Sequence, residues 1–129
     1  MIEGSRKPVD IETATRRMGE PSWLMLGVMC RQPSEEIPTI EVMRRVAEAY
    51  KQSNYPIQEI LPSTVHYAVD RMLKDGVLTH TRPDFVEIPG PHGTTHREYR
   101  PLYTVTPLGQ EMWQRRLALI QALNPGSNT

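Results

Sequence analysis

The sequence predicts a mainly helical α+β chain in which a small β-hairpin is inserted ahead of a long last helix. Three observations carry this. Stretches with apolar residues at helical spacing fill the N-terminal part of the chain. Two β-like runs, VLTHTR and YRPLYTV, flank a Pro- and Gly-rich segment. The motif T-P-L-G, from Thr106, opens a final run rich in Leu.

A chain of 129 residues suits one domain with one core. Its 12 prolines fall where elements begin or end, so they act as punctuation and not as a low-complexity tract. The single cysteine, Cys30, excludes an internal disulfide and fits a reducing compartment, and its apolar helical surroundings predict a buried, inert thiol. No apolar run reaches the roughly 20 residues needed to span a bilayer, and MIEGSRKPVD has no apolar core of a secretory signal. A cytoplasmic protein with no membrane partner is expected. The net charge of +0 argues against a basic nucleic-acid coat protein, but leaves open a charged face on one side. Arginines make up 12 of the 15 cations, the type suited to bidentate contact with phosphate or guanine.

The elements follow in order. Asp10 is placed to cap a short helix, IETATRRM, with Gly19 after it. Pro21 and Ser22 open WLMLGVMCRQ, apolar nearly all round and therefore the central core helix. RQPSEEIP reads as a loop. Thr39 is a candidate cap for IEVMRRVAEAYKQS, in which Ile40, Val42, Met43, Val46, Ala47 and Tyr50 recur at helical spacing. After the connection SNYPIQEILP, Pro62, Ser63 and Thr64 start a helix that buries Val65, Ala68, Val69 and Met72, extended by Leu73. Gly76 sits where a left-handed residue ends that helix. VLTHTR is β-like, PDFVEIPGPHGTTHRE reads as a turn-rich loop, and YRPLYTV is the return strand, an edge or bulged one because it contains Pro101. Thr106 caps and Pro107 starts the last helix, which ends at Asn124, Pro125 and Gly126.

Two helices joined by a short connection, the second followed by a hairpin, give a winged helix-turn-helix with a long C-terminal dimerisation helix. The expected organisation is a flexible segment over 1–8, a winged-helix domain over 9–106, the dimerisation helix over 107–124 and a flexible tail over 125–129.

The motifs S-T-V-H-Y-A-V-D-R-M-L-K-D-G-V-L and Y-T-V-T-P-L-G-Q-E, in this order, resemble those of the PadR-like winged-helix transcriptional regulators. Ser63, Thr64, Tyr67, Gly76, Leu78, Tyr103, Thr106 and Gly109 hold the matching positions, over roughly residues 22–123. The resemblance implies a cytoplasmic homodimer that represses or modulates transcription, with its last helix supplying much of the dimer contact. Within the family it extends to the cyanobacterial regulators that modify the circadian period. Val105, where the family often has Leu, and the long Pro- and Gly-rich wing depart from the pattern.

The candidate double-stranded DNA contacts are Ser63 and Thr64, beside the free N–H groups and positive end of the helix dipole, and His66, Tyr67, Arg71 and Lys74 along the same polar face. A helix of about 12 residues, roughly 18 Å long, fits a major groove. Asp70 faces the same way and would repel phosphate unless it holds Arg71 or Arg44. Arg82, Arg97 and Arg100 flank the wing, placed for the backbone or minor groove. Met112, Trp113, Leu117, Ile120 and Leu123 are the expected dimer contacts, because the last helix is apolar over more surface than one small core needs.

Other chemistries find little support. His80, His92 and His96 lack a cysteine or paired carboxylate to complete a metal site. G-P-H-G is a turn and not a phosphate loop, and Ser63 and His66 lack an orienting acid, so neither catalysis nor a cofactor is expected. A small-molecule effector between the N-terminal helices and the last helix is neither required nor forbidden. The alternative function is a winged-helix protein–protein interaction module, supported by the near-zero net charge.

Overall fold

A computed structural model describes residues 9–81, 85–99 and 101–124. The expected flexible segment 1–8 and tail 125–129 lie outside the described residues, as do Arg82 and Arg100. Five helices surround a small antiparallel sheet, and a hairpin projects from it: the winged-helix layout expected from the sequence.

Helix α1 (Ile11–Arg16) begins where the Asp10 carboxylate accepts the Thr13 N–H at 2.7 Å. Helix α2 (Glu20–Met29) is the centre of the core: six of its ten residues, among them Trp23, Met25, Leu26 and Met29, are buried. Its N-cap is Gly19, so it starts ahead of Pro21 as N1–N2 prolines allow. Cys30 follows it, half-buried, and burial pushes its thiol up to about 11, an unreactive state at neutral pH.

Helix α3 (Thr39–Gln52) packs Val42, Val46 and Tyr50 inward. Two expectations change here. Thr39 is the first helical residue and caps nothing; Pro38 holds the N-cap position. Ile40, expected in the apolar stripe, is 64% exposed, because Val42, Val46 and Tyr50 set the inward face and Ile40, two residues before Val42, stands nearly opposite to it around the helix. Helix α4 (Pro62–Lys74) buries Val65, Ala68, Val69 and Met72 as the spacing predicts. Asp75 closes it and Gly76, at φ +80°, reverses the chain into the sheet.

The sheet has the order β1–β5–β2, formed by Ile37–Pro38, Leu102–Val105 and Leu78–His80. Leu78 pairs with Val105 and His80 with Tyr103, while Ile37 pairs with Tyr103 on the other side. The return strand β5 is therefore central and not an edge; Pro101 stands just before it, so no ladder hydrogen bond is lost. The edges of this sheet are β2 and the two-residue strand β1, the latter inside what reads as a loop. The segment expected as a turn-rich loop is likewise mostly ordered. β3 (Phe85–Pro89) and β4 (Thr95–Tyr99) pair as a separate hairpin around a short 3-10 turn at Pro91–Gly93.

The last helix, α5 (Pro107–Leu123), is set by one hydroxyl. Thr106 Oγ1 accepts the Gly109 N–H at 3.1 Å and donates toward the carbonyls of Gly76 and Val77, tying the start of α5 to the end of α4. Gly109 is required there: a Cβ would stand 2.6 Å from the Val77 carbonyl oxygen. Among the described residues no helix is long and apolar enough to cross a membrane.

Candidate nucleic-acid interface

The burial of Val65, Ala68, Val69 and Met72 forces the opposite face of α4 outward. Ser63, His66, Tyr67, Asp70 and Lys74 are exposed on it, Tyr67 at 69%, with Thr64 and Arg71 half-buried at its flank. The helix starts after Leu61 with no side-chain cap, so the first-turn N–H groups of Ser63 and Thr64 have no side-chain acceptor. These donors, two hydroxyls and the helix dipole converge on one end of the helix, an arrangement that suits a phosphate oxygen.

Along the face, Tyr67 stands one helical turn before Arg71, and its side chain pushes the Arg71 pKa further above the ordinary arginine value. Asp70 pairs with Lys74 at 2.9 Å rather than with Arg71 or Arg44. The reason is geometric: i,i+4 residues stack on a helix, whereas adjacent ones diverge. Arg44 instead lies against Glu41 at 2.6 Å and Glu48 at 3.5 Å, and Arg45 bridges Glu35 and Glu41, both at 2.9 Å. The outer face of α3 is thus neutralised by its own ion pairs, while the α4 face keeps Arg71 clear of a close carboxylate among the described contacts.

On the wing, Arg97 is exposed and its guanidinium lies 5.4 Å from the Phe85 ring centroid, a cation–π contact that holds the side chain on the hairpin. His96 meets Glu98 at 3.0 Å, and His92 stands at the tip in a left-handed conformation, φ 60°. His80 packs instead on Tyr103, ring centroids 5.0 Å apart, at the base of the sheet. The wing histidines are therefore not gathered with it, and no cluster of three metal-ligating side chains occurs among the described residues.

The expected dimer set divides. Met112 is 1% exposed, a member of the protomer's own core, and has no surface to offer a second chain. Trp113 is half-buried and packs over Gly27, where a Cβ would meet the indole at 2.5 Å. Leu117, Ile120 and Leu123 are exposed, and with them Leu119, an apolar position of this helix outside the expected dimer set. Its signal was present: Leu119 is one turn before Leu123 on the same face. Arg116 went unnoticed; its guanidinium stacks 4.7 Å over Trp23 and joins α5 to α2.

No protein-family model matches the sequence, and no curated protein matches it. Solved structures do. The chain is similar to a transcriptional regulator from Clostridium thermocellum, with 14% identity and a TM-score of 0.52, over 84% of this chain and 86% of that one. It is also similar to Bacillus subtilis PadR, solved in complex with operator DNA, with 14% identity and a TM-score of 0.48 over 78% of this chain. The chain spans 48% of that PadR chain. At this identity the likeness is one of fold, and the winged-helix fold described above is the one shared with the Clostridium thermocellum regulator.

Proposed function

We propose that this protein is a sequence-specific, double-stranded-DNA-binding transcriptional regulator, a repressor that acts as a cytoplasmic homodimer and not as a catalyst. One observation carries the reading: the face of α4 exposes Ser63, His66, Tyr67 and Lys74, flanked by Thr64 and Arg71, and the hairpin that follows it in the chain exposes Arg97. Docked in a major groove, this face reads base edges while Ser63 and Thr64 grip phosphate. Arg97 reaches the backbone or the minor groove, with Arg82 and Arg100 expected to assist. Twofold pairing through Leu117, Leu119, Ile120 and Leu123, with Trp113 at its margin, would present two reading helices about 34 Å apart. The finer expectation, a role in extending the circadian period, is a proposal of the same kind, tested by the period of a deletion strain.

Fragments selected from genomic DNA supply the duplex. Fluorescence anisotropy at two salt concentrations then reads its affinity, which should fall with salt as phosphate contacts release counterions. Arg71→Ala and Arg97→Ala should each weaken binding while the dimer survives. An affinity indifferent to salt and to both substitutions would overturn the reading. A protein-docking module is the second reading, favoured by the self-neutralised outer face of α3. It predicts that no duplex is selected at all.

A further inference from the structure

The tip of the wing is a closed turn with a histidine at its apex. Pro89 and Pro91 flank Gly90 and fix the direction of the chain on either side of it. Three hydrogen bonds close the turn. Gly90 N–H donates to the Thr94 carbonyl at 2.6 Å, Thr94 N–H to the Pro91 carbonyl at 3.2 Å, and Thr94 Oγ1 to the same carbonyl at 2.7 Å. His92 stands out of this clamp, exposed, at φ 60° and ψ 32°. A non-glycine residue in the left-handed region is uncommon and costs stability that a glycine would not. Among the described residues, no hydrogen bond, ion pair or ring contact holds the His92 ring. The strain therefore has no return within the folded chain.

Groove dimensions select which side chain of the wing reaches furthest into DNA. A two-stranded ribbon, its strands about 4.8 Å apart before side chains are added, is too wide for a minor groove of about 6 Å. What enters is one side chain from the tip. Arg97 lies opposite Glu87, about 7 Å below the last ladder pair, Pro89 with Thr95. Phe85, further still from the tip, holds the Arg97 guanidinium 5.4 Å from its ring centroid, a position suited to the phosphates at the groove's rim. His96 is turned to Glu98 at 3.0 Å. His92 lies beyond both.

Charge decides when the tip can enter. The groups of the hairpin from Phe85 to Tyr99 that are charged or titrate between about pH 5 and 8 are Glu87, Glu98, Arg97, His92 and His96. With neutral histidines the two carboxylates outweigh the guanidinium, and the hairpin is repelled by phosphate; with both histidines protonated its net charge is positive. The charge on His96 is met by Glu98 inside the hairpin, so the charge offered to DNA at the tip is that of His92. A narrow A·T-rich minor groove has the enhanced negative potential that attracts such a cation.

We propose that the wing is a proton-dependent clamp: His92, as the imidazolium, enters the minor groove over an A·T-rich stretch flanking the α4 contacts, and duplex binding takes up a proton there. Affinity then rises as pH falls through the window in which histidine gains its charge. The clamp rests on the proposed DNA-binding function and adds to it a contact residue, a flanking-sequence preference and a pH response.

The duplex selected from genomic DNA is titrated with the protein by fluorescence anisotropy at about pH 6 and about pH 8, at one salt concentration. Affinity should be about three- to tenfold higher at the lower pH, the size of one charge-assisted contact. His92→Gln, which keeps a hydrogen-bonding side chain without the charge, should lose most of this difference. His92→Arg, charged throughout, should bind at the higher pH as tightly as the parent does at the lower. His92→Gly suits the left-handed backbone, so it should melt no lower than the parent and still lose the response, which separates the imidazole from the folding of the turn. A full pH response in His92→Gln overturns the clamp, as does its loss in His66→Gln, His80→Gln or His96→Gln instead.

Replacing flanking A·T pairs by inosine·cytosine keeps their minor-groove pattern, whereas G·C adds the guanine amino group there. At the lower pH the parent should bind the inosine duplex as it binds A·T and the G·C duplex more weakly, and His92→Gln should not tell them apart. A parent that treats inosine·cytosine as G·C overturns the minor-groove contact. If no duplex is bound at any pH, the DNA-binding function fails and the clamp falls with it; a duplex bound by the parent without dependence on His92 removes the clamp alone.

Discussion

The Arg17 guanidinium lies 2.7 Å from the Asp75 carboxylate, so the end of α1 is tied to the residue that closes α4. Asp75 is 4% exposed and Arg17 44%, which makes this a pair with one buried partner. Arg17→Ala leaves a buried carboxylate without its cation. The cost of breaking a fully buried pair, about 3–5 kcal/mol, is reduced here by water at the arginine, so a loss of about 1–2 kcal/mol is expected. Urea unfolding should show a lower midpoint at unchanged slope, and a variant as stable as the parent would mean the pair contributes nothing.

Two glycines on facing helices test the packing of α5. Gly27→Ala gains up to about 1 kcal/mol of helix propensity but drives a Cβ into the Trp113 ring, a rigid neighbour. Overpacking costs about 1–3 kcal/mol, so a net loss is expected, with a red-shifted tryptophan emission as the indole is displaced. Gly109→Ala should cost more, about 3 kcal/mol, because what it meets is the Val77 backbone carbonyl, which cannot rotate away. Equal thermal stability of the two variants would contradict this order.

Thr106→Val removes the cap on Gly109 N–H and the tie to the Gly76 and Val77 carbonyls together. A loss of about 1–2 kcal/mol is expected, at the upper end for a single cap. Thr106→Ser, which keeps the hydroxyl, should recover most of it; failure of the serine to do so would assign the effect to the methyl group.

The ion pairs of α3 set an acid limb. Arg44 and then Arg45, by hydrogen bonds, hold the Glu41 carboxyl down to about 2, below the usual value of about 4.3. A depressed folded-state pKa contributes stability that is fully present above about pH 4.3 and is lost as pH falls toward about 2. Glu41→Gln should therefore flatten the decline of thermal stability across that window and leave its shape at neutral pH unchanged. An identical acid limb in both proteins would contradict the assignment.

Asp70 neutralises Lys74 on the face proposed to meet DNA. Asp70→Asn frees the ammonium group and removes a phosphate-repelling charge, so duplex affinity should rise about two- to fivefold at low salt, with a steeper salt dependence. Weaker binding would place Asp70 in a base contact instead.

What the sequence determined is what neighbouring residues decide among themselves. The stripe Val65, Ala68, Val69 and Met72 reads directly as a buried face, and Thr106 with Pro107 marks the start of α5. Gly76 marks the end of α4 because only a residue without Cβ turns there without strain. The polar face of α4 follows by subtraction, and so most of the candidate site was legible before any coordinates. Other features depended on partners far along the chain. Ile37–Pro38 has no periodicity and becomes a strand only because β5 offers it a free edge. That pairing makes β5 central, against the inference from Pro101. Ile40 is turned outward and Met112 inward by which helix lies opposite. Backbone periodicity and capping act within four residues, whereas exposure and cavities are set by long-range packing, which no local pattern encodes.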